Sequence, residues 1–378
     1  MSEIKNHKVP YTTIQKIELH PNADRLAIAY VYGFGVIVPL NQYQPGDKII
    51  YIPIDSIFDD VKLKIKIFPI DAKIKIQHSR VRQIKLRGIY SQGLIINPQD
   101  LIEFIDLSNI KLETDLSEKL KISKYEPPIK SSNLNINNKE KTGRKKLAHP
   151  DFKSYNGLLN IKWDQNKFTG KEVVIQEKIH GTSARIALLP YRINTLLKKL
   201  KKLLGLTPKY EYLYGSNNVD ITNSTTYTGF YNEDIYGNCF KKINAFEKLK
   251  PNEIVYGEIF GPNIQKNYDY GLKEHKFLLF DVKILNKDGT QTWLSPEECK
   301  KYSIERGFQF VPVLYNGEFN IDICEKLMKG PSIYNSIQKV KEGIVIKSKE
   351  EYDINGSKQA LKMLNPEYLN DTTNTDNH

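Results

Sequence analysis

The chain has 378 residues, of which 40% are hydrophobic and 26% charged, and this length allows two or three domains with their own cores. Lys and Arg number 56 against 44 Asp and Glu, and the resulting net charge of +12 favours a polyanionic partner. No run of about eighteen apolar residues is present, which excludes a membrane-spanning helix. Because the N-terminal residues also lack the apolar core of a secretory signal, we expect a soluble, cytoplasmic protein with no membrane partner.

The first 125 residues are predicted to form an OB-like β-barrel. Short β-branched runs alternate there with turn sequences such as Gln44-Pro45-Gly46-Asp47. Five or six short strands in this space are typical of a small closed barrel of the OB type. We expect strands at residues 12–18, 28–32, 35–39, 48–52, 80–85 and 93–96.

Two basic clusters lie in this N-terminal region. Residues 62–67 alternate lysine with apolar residues, which predicts a strand with several lysines on one face. A second cluster follows with Tyr90 nearby, and basic residues beside an aromatic ring on a β surface are typical of single-strand binding. A solvated edge strand without a ligand is an equally good interpretation. The candidate nucleic-acid-binding residues are Lys62, Lys64, Lys66, Arg80, Arg82, Lys85 and Arg87.

The composition changes sharply after the predicted barrel. Residues 126–148 are polar, rich in Asn and Lys, and aperiodic, which predicts a flexible linker. We place a second domain at residues 149–367 and a disordered polar tail at residues 368–378. Within the second domain, residues 193–204 carry leucines at helical spacing with lysines between them, which predicts an amphipathic helix packed on the domain by its leucine face.

Three cysteines occur, and they are far apart in the sequence. An odd number at such spacing fits neither a disulfide framework nor a zinc site. We therefore expect Cys239, Cys299 and Cys324 to be buried thiols in a reducing compartment.

The segment around Lys178 carries the best candidate for catalysis. A β-branched run from Glu172 predicts a buried strand that ends at this lysine, and Gly181 follows closely. Beyond the turn, Ser183 and Arg185 share one face of a second strand. The sequence therefore places an amine on a rigid support, in the pattern Lys-x-His-Gly. An ordinary lysine on a surface hairpin is the alternative interpretation.

Further short blocks follow this lysine in a definite order: YGSNN at 214–218, VYGEIFGP at 255–262, FLLFDV at 277–282, KEGIVIK at 341–347 and LKMLNP at 361–366. With the lysine segment, they resemble the ordered motifs of covalent nucleotidyltransferases, which comprise ATP-dependent DNA and RNA ligases and mRNA capping enzymes. The form Glu-Lys-Ile-His-Gly-Thr and the segments 84–97 and 256–265 are similar to the Deinococcus-type RNA ligase family. In that family an OB module precedes the nucleotidyltransferase domain.

The resemblance implies an α+β fold, in which the OB-like barrel precedes an ATP-grasp-like adenylyltransferase domain of antiparallel sheets flanked by helices. It implies an ATP-dependent RNA ligase that joins 3′-OH and 5′-phosphate ends through lysyl-AMP and an adenylylated 5′ end. The expected cofactors are ATP and Mg²⁺ or Mn²⁺. The expected substrate is RNA at nicked duplexes, RNA–DNA hybrid ends included, and the expected state is a monomer active in RNA repair. The alternatives are a DNA ligase, a GTP-dependent mRNA capping guanylyltransferase, and a non-catalytic RNA-binding protein with a decayed ligase domain.

The same resemblance implies the roles of individual residues. Lys178 is the nucleophile, and we expect partial burial and the charges of Lys347 and Lys362 to keep it neutral. Glu342 and Glu258 are the expected metal ligands. The expected ATP- and AMP-binding residues are Gln176, Glu177, His180, Gly181, Arg185, Asn217, Glu258, Phe280, Lys347 and Lys362.

More specific roles are implied for three of these residues. Glu258 is expected to bind the ribose hydroxyls and Phe280 to stack on adenine, whereas His180 is expected to face the nucleic-acid phosphate. Two positions differ from the family pattern. Asn217 or Asn218 stands where many ligases have arginine, and Leu364 stands where a second lysine is common, with Lys358 as a candidate replacement.

Overall fold

The computed structural model describes residues 7–68, 80–125, 149–155, 157–193, 200, 202–222, 231 and 233–370. The predicted linker at 126–148 lies outside these residues, as do most of the predicted leucine–lysine helix and residues 371–378. No helix within the described ranges is long and apolar enough to cross a membrane. All three cysteines are buried and free, as expected.

The N-terminal module consists of short antiparallel strands around two apolar cores. One sheet has the order β1-β5-β9 and another β2-β3-β4, while β6 pairs with β10 and β7 with β8. Alternate residues of the central strand face different cores: Tyr51 lies in one, and Ile50 and Ile52 lie in the other. The strands are β1 Tyr11–Thr13, β2 Lys16–Leu19, β3 Leu26–Val31, β4 Phe34–Pro39, β5 Lys48–Ile52, β6 Ser56–Phe58, β7 Ile84–Leu86, β8 Ile89–Ser91, β9 Leu94–Ile96 and β10 Ile122–Lys124.

Three sequence predictions in this module are wrong. The lysine-rich segment is not a strand but helix α1, Val61–Ile67, because the Asp60 side chain accepts hydrogen bonds from two backbone N–H groups of its first turn. Residues 12–18 form two strands, β1 and β2, interrupted at residues 14 and 15. Residues 80–85 are largely irregular, with a single β-bridge at Arg80 and strand β7 beginning only at Ile84.

The second domain contains two five-stranded sheets, of order β11-β22-β19-β12-β18 and β14-β13-β15-β16-β17, and a small β20–β21 hairpin. The strands are β11 Leu159–Asn160, β12 Glu172–Lys178, β13 Thr182–Pro190, β14 Tyr210–Ser216, β15 Glu253–Phe260, β16 Lys276–Leu285, β17 Gln291–Trp293, β18 Val313–Glu318, β19 Gly343–Ser348, β20 Asp353–Ile354, β21 Ser357–Lys358 and β22 Ala360–Leu364. The helices of this domain are α2 Ile235–Lys242, α3 Ala245–Lys248, α4 Pro296–Arg306, α5 Ile321–Leu327 and α6 Pro366–Leu369. One 3₁₀ turn occurs here at Ile161–Trp163, and another occurs in the N-terminal module at Pro98–Leu101.

A tight turn joins the two sheets at the predicted catalytic segment. Strand β12 lies inside the first sheet and β13 inside the second, as their β-branched and apolar residues predicted. Between them, Gly181 passes so close to β15 that an added Cβ would lie 2.3 Å from the Ile259 carbonyl oxygen. Any larger residue would push the turn away from β15, so glycine is required where the lysine strand turns.

The N-terminal module contacts the second domain through a ring cluster and a polar chain. Trp163 packs against Tyr32, Phe34 and Tyr51, with ring centroids 5.0, 5.3 and 5.7 Å away. Nearby, Lys162 Nζ donates to Gln92 Oε1 at 2.5 Å. These buried contacts fix the barrel beside the first sheet.

The same polar chain continues to the C-terminal end of the described chain. Gln92 Nε2 donates to Gln83 Oε1 at 2.7 Å, and Gln83 Nε2 donates to the Pro366 carbonyl at 3.1 Å. Helix α6 extends to Leu369, and Tyr368 within it is fully buried, so a tail cannot begin at residue 368. The expected packing of the leucine–lysine segment is also absent at its described positions, since Leu203 is 87% exposed.

Candidate active site

A cavity of about 540 Å³ opens between the two sheets at the turn that joins β12 to β13. Its size is that of a pocket for a nucleotide-sized ligand. All but one of the predicted ATP- and AMP-binding residues line it, together with Lys178 and Glu342, although they come from five strands and three loops. The exception is Arg185.

Lys178 lies between two carboxylates. Its Nζ is 2.7 Å from Glu342 Oε1, because Lys178 is paired with Gly343 across the β12–β19 ladder. Glu258 reaches the same place from β15 in the second sheet. The Lys178 side chain is 27% exposed and lines the cavity, while its amine is held by a charged hydrogen bond.

The charges around Lys178 differ from the sequence prediction. Burial acts to lower the pKa of Lys178, but the negative charges of Glu342 and Glu258 outweigh it and raise that pKa. The lysine is therefore an ammonium ion in the protein without ligands. The expectation that burial and cationic neighbours keep it neutral is wrong for this state.

The two carboxylates have pKa values displaced in opposite directions. Burial and the charge of Glu342 raise the pKa of Glu258 to about 8, against the opposing effect of Lys178. Burial also disfavours the charge on Glu342, but Lys178 and His180 outweigh it and lower that pKa to about 2. Near neutral pH one carboxylate is thus ionised and the other mostly protonated, which is a pattern found at catalytic sites.

His180 is enclosed by aromatic side chains. Tyr268 and Tyr368 make edge-on contacts with its ring at centroid distances of 4.7 and 5.0 Å, and the Tyr270 hydroxyl accepts from its backbone N–H at 2.8 Å. Its Nδ1 is 3.5 Å from Glu342 Oε2. In this structure the ring is therefore directed at the carboxylate that holds Lys178, and it lines the cavity while almost fully buried.

Strand register brings several predicted residues onto one face of the first sheet. Val345 of β19 is paired with Gln176 on one side and with Lys362 on the other, so these two polar side chains share a row facing the cavity. The Gln176 Nε2 atom is buried and has no hydrogen-bond partner among the residues that the structure describes. Burial, with the positive charge of Lys178, lowers the pKa of Lys362 to about 8. Both groups are suited to bind a polar, anionic ligand.

Lys347 is committed to a buried ion pair. Its Nζ donates to Asp281 Oδ1 at 2.8 Å and to the Phe280 carbonyl at 2.6 Å. Asp281 also accepts from the Tyr155 and Tyr352 hydroxyls at 2.7 and 3.0 Å. The positive charge of Lys347 is thus neutralised by Asp281, although the residue borders the cavity.

Two of the predicted ligand-binding residues, Arg185 and Glu177, form hydrogen bonds with backbone groups of the protein. Arg185 lies beneath the cavity, where it donates to the Ser216 carbonyl at 3.0 Å and stacks 4.1 Å from the Phe152 ring. The expectation that Arg185 contacts ATP or AMP is not met, because it does not line the cavity. Glu177 lines the cavity, but one of its carboxylate oxygens accepts from the backbone N–H of Ile333 at 2.8 Å.

Other cavity residues were absent from the predicted set. Gln265 donates to the Gly181 carbonyl at 2.8 Å, which leaves its buried Oε1 without a partner at the cavity wall. Tyr155 meets Phe280 edge-on at 4.9 Å, and its backbone N–H donates to Asn217 Oδ1 at 2.7 Å. Asn217 therefore holds this part of the cavity wall. Gln265 is the last residue of the family-like segment 256–265, and this position was the sequence feature that could have identified it as a site residue.

The position of the second lysine common in the family carries no charge here. Leu364 is buried and is paired with Gly343, in the same cross-strand row as Lys178. Lys358 does not replace it, because its Nζ lies over the Tyr155 ring at 3.4 Å and the residue does not line the cavity.

The residues at Lys178 fit a divalent cation with few protein ligands. In the described part of the chain, no three His, Cys, Asp or Glu side chains are grouped as a metal site. Glu342 nevertheless offers a buried Oε2 with only the long contact to His180, and Glu258 faces the same cavity. Two carboxylates, with water and phosphate oxygens completing the shell, suit Mg²⁺ or Mn²⁺.

The predicted nucleic-acid-binding residues do not form one surface. Lysines 62, 64 and 66 project from helix α1 instead of sharing a strand face, and Lys66 pairs with Glu103 at 3.3 Å. Arg80 is only 4% exposed and bonds Asp55 at 2.5 and 2.9 Å, so it is not available to a ligand.

The β7–β8 hairpin carries two of the predicted basic residues close to an aromatic ring, as expected. Lys85 and Arg87 are exposed, and Lys85 Nζ lies 5.1 Å from the Tyr90 ring. Arg82, just before the hairpin, is partly exposed, and its buried Nε has no hydrogen-bond partner within the described ranges. A basic, aromatic surface on the barrel is therefore present, smaller than predicted.

Comparisons with known proteins agree with this architecture. A family model described as RNA ligase matches residues 171–364, and one described as an OB-fold domain matches residues 9–98. The solved structures most similar to this chain include three of Naegleria gruberi RNA ligase. A lysine-to-alanine mutant with ATP and Mn is 22% identical, with a TM-score of 0.71 over 96% of this chain and 98% of that one. The protein with PPi is 23% identical, with a TM-score of 0.70 over 96% and 97% of the two chains.

The third structure, a lysine-to-methionine mutant with AMP and Mn, is 23% identical, with a TM-score of 0.70 over 97% and 98% of the two chains. At identities of 22–23%, these structural matches show the fold alone. Together these matches confirm the predicted α+β architecture, with an OB module ahead of a ligase-type nucleotidyltransferase domain.

Proposed function

The chain belongs to the RNA ligase family, and from that membership we propose that it is an ATP-dependent enzyme that forms lysyl-AMP on Lys178. AMP then passes to an RNA 5′-phosphate, and a 3′-OH displaces it to seal the strand. The observation that carries the proposal is an amine 2.7 Å from a buried carboxylate at the wall of a nucleotide-sized cavity.

The first step requires Lys178 to lose a proton. Its pKa is raised by Glu342 and Glu258, so the amine becomes nucleophilic only when those negative charges are offset. A divalent cation at the two carboxylates would supply that charge and would also neutralise the triphosphate. Attack by Nζ on the α-phosphorus then forms a phosphorus–nitrogen bond and breaks the bond to pyrophosphate.

Other cavity groups have roles set by their unused hydrogen-bonding capacity. Gln176 offers a buried donor and Gln265 a buried acceptor, and a bound nucleotide would satisfy both. Lys362, whose pKa is about 8, would regain its full positive charge beside a phosphate. Phe280 borders the cavity and is partly exposed, which suits a ring that stacks on a base.

We infer that the substrate is RNA at a nick in a duplex. The charge of +12 and the exposed Lys85 and Arg87, beside the partly exposed Tyr90, support contacts to a nucleic-acid backbone outside the cavity. The barrel is held against the ligase domain by the contacts at Trp163, which fixes the hairpin relative to the cavity.

The test has two parts. Incubation with α-labelled ATP or GTP and Mn²⁺ should label the protein with AMP and not GMP, and Lys178→Ala should abolish labelling while Lys276→Ala, a surface lysine, should not. A GMP adduct would instead support a capping guanylyltransferase. Nicked duplexes with each strand made of RNA or DNA in turn should then be sealed only when the 3′-OH strand ends in ribose. Equal sealing of all-DNA nicks would contradict the RNA substrate.

A further inference from the structure

The short helix α6 is tied to the backbone beside Glu342 by Asn365, the residue that caps its N-terminus. Asn365 is fully buried, and its backbone N–H donates to the Glu342 carbonyl at 2.9 Å. Its side-chain Nδ2 donates to the Lys341 carbonyl at 3.2 Å, while its Oδ1 accepts from the Glu367 N–H at 3.0 Å and caps the helix. The backbone and side chain of one residue therefore join the start of the helix to residues 341 and 342.

That backbone segment needs an external support. Glu342 precedes strand β19, which begins at Gly343, so it lies outside the strand ladder. Gly343 has φ of +152°, and an added Cβ would lie 2.2 Å from the Met363 carbonyl oxygen. The chain thus enters the strand through a conformation open to glycine, and the bonds from Asn365 fix where Glu342 stands.

The same helix also contacts the Glu342 side chain through His180. Tyr368 is fully buried, and its ring lies 5.0 Å from the His180 ring and 5.7 Å from that of Tyr268. Its hydroxyl is 3.4 Å from His180 Nδ1, too long for a strong hydrogen bond, so ring packing is the main contact. His180 Nδ1 in turn is 3.5 Å from Glu342 Oε2.

The outer side of α6 is held as well. Gln83 of the N-terminal module donates to the Pro366 carbonyl at 3.1 Å and to Asn370 Oδ1 at 3.2 Å. A helix of four residues has no stability of its own, so these contacts determine where it lies.

We propose that Asn365 and Tyr368 are positioning residues, which hold Glu342 and His180 so that the Glu342 carboxylate stands against Lys178. The inference rests on the proposed lysyl-AMP chemistry. Neither residue lines the cavity, so neither touches the nucleotide. Their loss should therefore lower the rate constant of adenylylation and leave the KM for ATP unchanged. Supporting residues of this kind are worth about 10- to 100-fold in activity.

The test is single-turnover adenylylation of the full chain with ATP and Mn²⁺, with thermal midpoints recorded for every variant. Asn365→Asp keeps the oxygen that caps α6 but replaces the donor to Lys341 with an acceptor. Asn320→Asp is the matched control, because Asn320 caps α5 in the same way and does not line the cavity. Tyr368→Leu removes the ring at His180, and Tyr368→Phe keeps it.

We expect Asn365→Asp and Tyr368→Leu to slow adenylylation about 10- to 100-fold at an unchanged KM for ATP. Asn320→Asp and Tyr368→Phe should match the parent protein. Parent rates in folded Asn365→Asp and Tyr368→Leu would overturn the inference, as would a raised KM with an unchanged rate constant. If Tyr368→Leu fails to fold, the isosteric Asn365→Asp decides alone. A parent protein that forms no lysyl-AMP would contradict the proposed function instead, so the two failures are distinguishable.

Discussion

Replacing Glu342 with glutamine should make the amine of Lys178 more reactive toward a small amine reagent. The same replacement should abolish adenylylation by ATP. The carboxylate lies 2.7 Å from Nζ and is the main negative charge that raises the pKa of Lys178. A hydrogen bond between charged groups is worth about 1.5–3 kcal/mol, and each 1.36 kcal/mol changes a protonation equilibrium about tenfold. The neutral fraction of Lys178 should therefore rise about 10- to 100-fold in Glu342→Gln.

The assay is site-resolved mass spectrometry of labelling by a small amine reagent near pH 8, without nucleotide or metal. The rate of Lys178 labelling should rise in proportion to the neutral fraction of its amine. Adenylylation with ATP should fall, because an amide oxygen is a weaker ligand for a hard cation than a carboxylate oxygen. Glu274→Gln is the matched control, since Glu274 pairs with Lys242 and Lys276 on the surface. Exposed pairs are worth at most about 1 kcal/mol, so labelling there should change less than about fivefold. Unchanged labelling of Lys178 in Glu342→Gln would refute the assignment of its charge state.

Two further perturbations test other parts of the account. Asp281→Asn leaves the buried Lys347 without its counter-charge, so the free energy of unfolding measured by urea denaturation should fall by about 3–5 kcal/mol; a loss below 1 kcal/mol would show that the pair is not buried in solution. Lys85→Ala and Arg87→Ala should each reduce the slope of log affinity for single-stranded RNA against log salt by about 0.7, whereas Arg80→Ala should destabilise the protein without changing that slope. A slope altered by Arg80→Ala would mean that this buried arginine reaches RNA.

The catalytic segment was predictable because its signals are local. The β-branched run from Glu172 and the glycine at 181 predict a buried strand and a tight turn, and both are present around Lys178. The ordered blocks after the lysine then indicated which strand ends meet, and the structure brings Glu258, Phe280 and Glu342 to one cavity.

Local patterns failed where a competing contact decided the outcome. Alternation of lysine and apolar residues at 62–67 predicts a strand, but the Asp60 cap and a single buried residue, Leu63, produce a helix. The sequence also did not indicate that two of its basic residues are buried. Arg80 and Arg185 are both enclosed by partners distant in sequence. Lys347 is neutralised by Asp281 for the same reason.

Other site residues depend on contacts that no spacing reveals. Tyr368 reaches His180 across 188 positions, and Asn365 reaches Lys341 from a separate strand connection. Gln265 meets the Gly181 carbonyl only because the two sheets close on each other. Such residues follow from the packing of the sheets and are read from the structure alone.

The central claim is tested most directly by mapping the covalent nucleotide. After incubation with ATP and Mn²⁺, peptide mass spectrometry under neutral conditions should find one AMP on Lys178, lost on acid treatment and absent without metal. AMP on another lysine, or none on a folded protein that binds ATP, would contradict the account.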